Sequence, residues 1–131
     1  MLVRINDGGS VEPITSQVHE WWFRQWMRNL DPADFQRIEE TLNAHINTSG
    51  RGEIITTSWI PGSDWTGTPY EPIYFAAGQD WQSARFFYGL IVWRVMMDRP
   101  EAWSFGRYPQ NPGEIIGLTY FRVHLPVADA A

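Results

Sequence analysis

The longest helical pattern in the chain lies in residues 80–97, which read DWQSARFFYGLIVWRVMM. Asp80 is of a type that caps helix N-termini, and Pro100 is of the type that ends helices. Between them, apolar residues recur at helical spacing in two rows. The rows are Ala84, Phe87, Ile91 and Val95, and Phe86, Leu90, Trp93 and Met97. A helix that is apolar over so wide an arc is expected to be the central one, packed on a sheet.

Two more helices are predicted before this one. In residues 16–30, apolar side chains follow the i, i+4 spacing of a helix. They are Val18, Trp22, Trp26 and Leu30. A second helix is predicted to begin at Asp31 and Pro32, which offer an N-cap and a first-turn proline, and to end near residues 47–50. Because the connection is short, the two helices should form an antiparallel or angled pair.

The other regular segments favour strands. Residues 2–5 and 53–60 are rich in β-branched and other apolar residues, as strands are. Residues 103–108 and 114–125 are two further predicted strands, and the turn residues between them indicate a hairpin. A short turn of helix is predicted through residues 73–77.

These elements predict an α+β fold in a single domain, residues 1–131, with a small antiparallel sheet and about three helices packed on one of its faces. Chain ends are the segments where order is most often lost. Fraying is therefore expected, if anywhere, in residues 1–10 and 126–131.

The composition excludes several kinds of chemistry. All ten basic residues are arginine, and the chain contains no cysteine. Lysine-dependent Schiff bases and phosphate loops are therefore excluded, as are thiolate nucleophiles, disulfides and thiolate-bound metals. The net charge of −5 and the scattered arginines argue against nucleic-acid binding.

The chain also lacks the patterns of exported and membrane-bound proteins. Its longest apolar run, residues 86–97, is interrupted by Arg94 and falls short of the ~20 residues that span a bilayer. Residues 1–13 lack the basic and apolar regions of a signal peptide. We therefore expect a cytoplasmic protein that does not bind membranes.

No sequence motif for a metal, a cofactor or a nucleophile is present. His19 and Glu20 resemble the start of a zinc-protease helix, but Phe23 occupies the position of the second histidine. No serine lies in a G-x-S-x-G elbow, and no G-x-G-x-x-G follows a strand. The sequence therefore predicts neither a metal site nor a cofactor.

The candidate functional site is the loop of residues 63–71, SDWTGTPYE. It precedes the central helix, and sites are often found on loops held by a rigid scaffold. The alternative is a compact loop whose aspartate makes a local turn and whose aromatic rings cover the core. The candidate ligand-binding residues in the loop are Asp64, Trp65, Thr66, Thr68, Tyr70 and Glu71.

Three residues of the predicted hairpin complete this candidate site. Arg107 and Arg122 need a carboxylate or an anionic ligand if they face a cleft. Internal ion pairs with Glu71 or Asp64 are the alternative. His124 would be a general base if its strand face lined a cleft, and otherwise a partly exposed sheet histidine.

Two functions from different classes remain open at this point. The first is a noncatalytic module that binds a small ligand or a protein partner. The second is a small acid–base or hydrolytic enzyme that uses Asp64, Glu71 and His124, which would require carboxyl groups in unequal environments.

The helix predicted in residues 16–30 also suggests a homodimer with this helix at the interface. Trp21 is expected to point away from the core when Trp22 and Trp26 point inward. Large exposed apolar rings usually mark interfaces, and two-fold dimers are the commonest closed assembly. The alternative is a monomer in which the loop of residues 63–71 or the N-terminal strand covers Trp21.

Overall fold

Four α-helices and a five-stranded sheet make up the part of the chain described by the computed structural model, residues 1–49, 53–60, 62–106 and 119–124. The strands are β1 (Leu2–Ile5), β2 (Val11–Ile14), β3 (Ile54–Ile55), β4 (Trp103–Gly106) and β5 (Thr119–Arg122). The helices are α1 (Glu20–Met27), α2 (Pro32–Thr48), α3 (Glu71–Ala76) and α4 (Trp81–Asp98). The predicted α+β class is confirmed.

The two long helices begin where their capping residues predict. Asp80 accepts a hydrogen bond from the Ser83 backbone N–H at 3.0 Å and starts α4. Asp31 accepts one from the Ala33 N–H at 2.8 Å, and Pro32 occupies the first position of α2. Helix α4 is buried along most of its length and packs against the other three helices and β1. It is the central helix, as predicted.

The sheet has the order β2-β1-β4-β5-β3. Strands β4 and β5 are antiparallel neighbours, as the hairpin prediction requires, with Trp103 opposite Arg122. The expectation of a purely antiparallel sheet is wrong in one pairing, because β1 runs parallel to β4 with Leu2 opposite Trp103. Parallel neighbours need a long crossover, and the helices between β1 and β4 provide it. Residues 2–5 therefore form an inner strand of the sheet.

Several predicted segments are shorter or different in the structure. Helix α1 begins at Glu20 because His19 has left-handed backbone angles, φ 50° and ψ 47°, which an α-helix cannot contain. In residues 53–60 only β3 is extended, and Thr56–Trp59 form a 3-10 turn. There the Thr56 carbonyl accepts a hydrogen bond from the Tyr88 hydroxyl at 2.7 Å, so it is bonded to α4.

The short helix α3 lies close to the predicted position, at Glu71–Ala76. For the two strands of the predicted hairpin, the structure describes β4 and β5, while residues 107–118 and 125–131 lie outside the described residues. Fraying of residues 126–131 therefore stays a prediction.

The hydrophobic core lies between the helices and one face of the sheet, and its continuity makes the described residues a single small domain. Within these residues, no helix combines the length and apolar character needed to cross a membrane.

A cluster around Arg99 joins helix α2 to the start of β4. Its guanidinium donates to both carboxylate oxygens of Glu101, each at 2.7 Å, and to the side-chain oxygens of Asn43 at 3.0 Å and Asn47 at 2.7 Å. The hydrogen bonds from Arg99, supported by one from the Trp103 indole, lower the pKa of Glu101 to about 2.

Candidate ligand-binding cleft

A cleft of about 620 Å³ lies between α4 and the sheet. This volume is within the ~300–1,000 Å³ that small-molecule sites usually occupy. Its lining comes from α4, three strands, the 3-10 turn and the segment before α1. The described lining residues are Arg4, Val18, His19, Thr56, Ile60, Gln82, Arg85, Phe86, Tyr88, Gly89, Leu90, Val92, Trp93, Phe105 and Tyr120.

Most of the lining from α4 belongs to a single face of that helix. Gln82, Arg85, Phe86, Gly89, Leu90 and Trp93 are spaced by three or four residues, which places them on one side. Gly89 lies in the middle of this face. A Cβ atom added to it would meet no atom within 4 Å, so the space in front of it is open.

The sheet contributes one row of side chains across three neighbouring strands. Phe105 of β4 pairs with Tyr120 of β5. In the next strand, Leu2 of β1 pairs with Trp103 of β4. Arg4 and Phe105 each lie two residues further along their strands, so Arg4 occupies the same row in β1. The rings of Phe105 and Trp93 make an edge-to-face contact, 4.9 Å between centroids, which joins the sheet and α4 within the lining.

The segment before α1 provides another part of the lining. His19 holds its left-handed conformation there, and its ring makes an edge contact with Phe86, 5.1 Å between centroids. From Phe86 the aromatic contacts continue to Trp26, at 5.8 Å, and from Trp26 to Trp22, at 5.1 Å. The cleft is therefore adjacent to an exposed aromatic surface on α1.

Two exposed arginines, Arg4 and Arg85, line the cleft. The Arg85 guanidinium stacks over the Trp81 ring, 4.6 Å from its centroid, and the Trp81 indole donates to the Gly62 carbonyl at 3.0 Å. Neither arginine forms an ion pair with another residue in the described ranges. Among the described lining residues there is also no aspartate or glutamate.

The loop of residues 63–71 has its polar groups bonded within itself. Asp64 accepts a hydrogen bond from the Thr66 N–H at 3.1 Å, and the hydrogen bonds with Thr66 lower the pKa of Asp64. Glu71 accepts from the Gly67 N–H at 2.6 Å. The Thr68 hydroxyl donates to the Trp65 carbonyl at 2.8 Å. These bonds match the compact-loop alternative.

The two aromatic residues of that loop pack inward. Trp65 and Tyr70 are buried, and their rings contact Tyr88 of α4 at centroid distances of 6.2 Å and 5.4 Å. Burial raises the pKa of Tyr70 to about 12, and no hydrogen-bond partner of its hydroxyl is found in the described part of the chain. The Trp65 indole donates to the Gly62 carbonyl at 2.9 Å, the acceptor that Trp81 also uses.

Of the hairpin residues in the predicted site, the structure describes Arg122 and His124, and neither lines the cleft. Arg107 lies outside the described residues. Arg122 lies over the Trp103 ring, 5.4 Å from its centroid, and forms no ion pair with Asp64 or Glu71. His124 is exposed just after β5.

None of the predicted site residues that the structure describes lines the cleft, although Trp65 and Tyr70 contact one residue that does. Sequence reasoning missed Arg4, Arg85 and Gly89. The available signal was Gly89, because a glycine in the interior of an otherwise strong helical pattern is unfavourable without a structural reason.

The described residues contain no group of three or more histidine and carboxylate side chains arranged to hold a metal ion. Comparison with models of known protein families, with curated proteins and with solved structures found no match.

Proposed function

We propose that the protein is a noncatalytic module that binds a small organic ligand in the cleft between α4 and the sheet. The cleft has the size of a small-molecule site, and its lining combines many apolar side chains with a few polar ones, as such sites usually do.

The observation that carries this proposal is Gly89. In a helix interior, glycine is less favourable than alanine by roughly 0.8–1 kcal/mol. Close packing would justify that cost, but a Cβ atom at this position would meet nothing within 4 Å. What the glycine does provide is free volume on the face of α4 that lines the cleft. Gly89 is exposed, so this space is open to solvent and leaves room in the cleft for a ligand to approach the helix backbone.

The enzyme alternative has less support. A catalytic acid–base pair requires one carboxyl group that holds its proton near neutral pH, which needs a raised pKa. The pKa of Asp64 is lowered, and the carboxylate of Glu71 is bonded to its own loop. We therefore propose binding without chemistry.

Thermal-shift screening of a metabolite library against three forms of the protein tests the proposal. Compounds that stabilise the wild type should also stabilise Gly89→Ala, which adds one methyl group. They should not stabilise Gly89→Leu, whose side chain fills the open space. Asp64→Ala, in the loop of residues 63–71, should retain every hit. A library without hits, or hits that Gly89→Leu retains, would contradict the proposal.

We also propose that the partner of α1 is a second copy of this chain. Trp21 is 62% exposed and Trp22 is 46% exposed, so a large aromatic surface lies uncovered by the described residues. On the same helix, Glu20 and Arg24 form an exposed ion pair with each other at 2.8 Å, so their charges are already matched within one copy. A two-fold pair would place the exposed rings of each copy against those of the other, which removes this apolar surface from water.

A further inference from the structure

The basic character of the cleft is unusual for this chain. The whole protein carries fifteen acidic and ten basic residues, for a net charge of −5. The cleft has the opposite balance, since the described lining contains two arginines and a histidine but no carboxylate. A concave, partly apolar surface with one sign of charge attracts ligands of the other sign.

Arg85 is arranged so that its charge remains available. Its guanidinium lies against the Trp81 ring, which fixes the plane of the group without using its N–H donors. Trp81 is itself held by the hydrogen bond to the Gly62 carbonyl. The Trp65 indole, in the loop of residues 63–71, donates to the same carbonyl at 2.9 Å.

Arg4 provides the second charge from the sheet side of the cleft. Its cross-strand neighbour in β2 is Glu12, yet no ion pair joins the two side chains. Because Glu12 does not line the cleft, a ligand inside it would meet Arg4 first. Arginine is well suited to such contacts, because its planar donors match carboxylate, sulfonate and phosphate groups.

The rest of the lining suits an apolar and flat ligand body. Phe86, Trp93, Phe105 and Tyr120 supply aromatic surface, and Leu90 and Ile60 supply aliphatic surface. Gly89 lines the same cleft, and no side chain comes within 4 Å of the position that its Cβ atom would take. A ligand that filled the cleft would bury apolar area, which favours binding.

We infer that the ligand of this cleft is an amphipathic organic anion, with its acidic group at Arg4 and Arg85 and its apolar body against the aromatic lining. The inference rests on the proposed function and adds the chemical class of the ligand.

Three probes with the same ring system and different head groups test it: naphthoate, naphthamide and naphthylmethylammonium. Titration calorimetry should give about tenfold tighter binding of naphthoate than of naphthamide, and the weakest binding for the cation. High salt should reduce the advantage of naphthoate, because the arginines are exposed.

Charge variants then locate the head group. Arg85→Gln and Arg4→Gln should each weaken naphthoate binding roughly threefold to fivefold and leave naphthamide binding unchanged. Glu12→Gln should strengthen naphthoate binding, since it removes the carboxylate next to Arg4. Arg28→Gln is the matched control. Arg28 forms no ion pair in the described ranges and does not line the cleft, so its loss should change neither affinity.

These results test the anionic nature of the ligand separately from the proposal that the cleft binds a small organic ligand. If naphthamide or naphthylmethylammonium binds as tightly as naphthoate, or if Arg28→Gln has the same effect as Arg85→Gln, the anion inference is wrong and the cleft proposal still stands. If none of the three probes binds, the inference is also wrong. In that case the Gly89→Leu thermal-shift comparison decides independently whether the cleft binds any ligand.

Discussion

Substitutions of Gly89 are expected to affect the stability of the protein and its ligand binding in different ways. Replacing it with alanine adds a methyl group that meets no atom within 4 Å and removes the conformational cost of glycine. We therefore expect Gly89→Ala to raise the free energy of unfolding by about 0.8 kcal/mol, measured by urea denaturation. A clear loss of stability would mean that the space in front of Gly89 is not open.

Two buried tyrosines give a second prediction, with each serving as the control for the other. Tyr88 donates to the Thr56 carbonyl at 2.7 Å, so Tyr88→Phe leaves a buried acceptor without its donor. The expected cost is roughly 1–2 kcal/mol. The hydroxyl of Tyr70 has no partner in the described residues, so Tyr70→Phe should be neutral or stabilising. Equal losses in urea denaturation would show that the Tyr70 hydroxyl is also bonded.

At the scale of single elements, the sequence was most informative where local chemistry sets a boundary. Asp31 with Pro32, and Asp80, predict the starts of two helices, and both helices begin there. The end of β3 could not be predicted from such local residues. Thr56–Trp59 have strand-forming residue types, but their conformation is accompanied by a hydrogen bond from Tyr88, which lies far away in sequence.

For helix α1, too, local sequence does not predict which side chains pack on the core. The i, i+4 spacing predicted that Trp22 points inward, but it is 46% exposed and stacks on Trp26. The helix starts late, after His19, and the side chains that pack on the core are those of Phe23, Trp26 and Met27. Trp21 is exposed as predicted, and its ring contacts that of Trp22 at 4.7 Å between centroids.

The junction between α2 and β4 has a predictable pH dependence. Because the pKa of Glu101 is lowered from 4.5 to about 2, its contribution to stability is complete above pH 4.5 and is lost as the pH falls toward 2. Glu101→Gln should cost roughly 2–3 kcal/mol at neutral pH and progressively less on acidification. Urea denaturation across this pH range measures the difference.

Glu20→Gln is the matched control for that series. Glu20 also pairs with an arginine, Arg24, at 2.8 Å, but both side chains are mostly exposed. Its loss should change stability by less than about 0.5 kcal/mol at every pH. A cost for Glu101→Gln that does not decline in acid would contradict the role assigned to the Arg99 cluster.

At the scale of the whole molecule, the proposed dimer can be tested by light scattering at micromolar concentration. We expect a mass of about twice 15.2 kDa, whereas a mass near 15.2 kDa would refute the dimer. Trp21→Glu should dissociate it with little change in helical circular dichroism, because Trp21 is 62% exposed and takes no part in the core. Phe75→Glu, at an exposed aromatic residue on α3, is the control that should leave the mass unchanged.

The cleft is formed by helices and strands that lie far apart in sequence, which is why the sequence did not reveal it. Its sheet side requires Arg4, Phe105 and Tyr120 in one row, which depends on β1 lying parallel to β4. Strand order and register of this kind arise from long-range pairing, which local patterns do not encode. The residue types of the loop of residues 63–71 mark it as a loop, but they do not show that its rings pack on Tyr88 of α4.

Protein NMR can locate naphthoate on the protein and so show whether it binds in the cleft. On titration with naphthoate, we expect the largest shift changes at the Gly89 and Phe105 amides and at the Trp93 indole N–H, since all three residues line the cleft. The Thr66 and Gly67 amides, in the loop of residues 63–71, should move little. Changes confined to that loop, or saturation without any change at Gly89, would show that the ligand does not bind in the cleft.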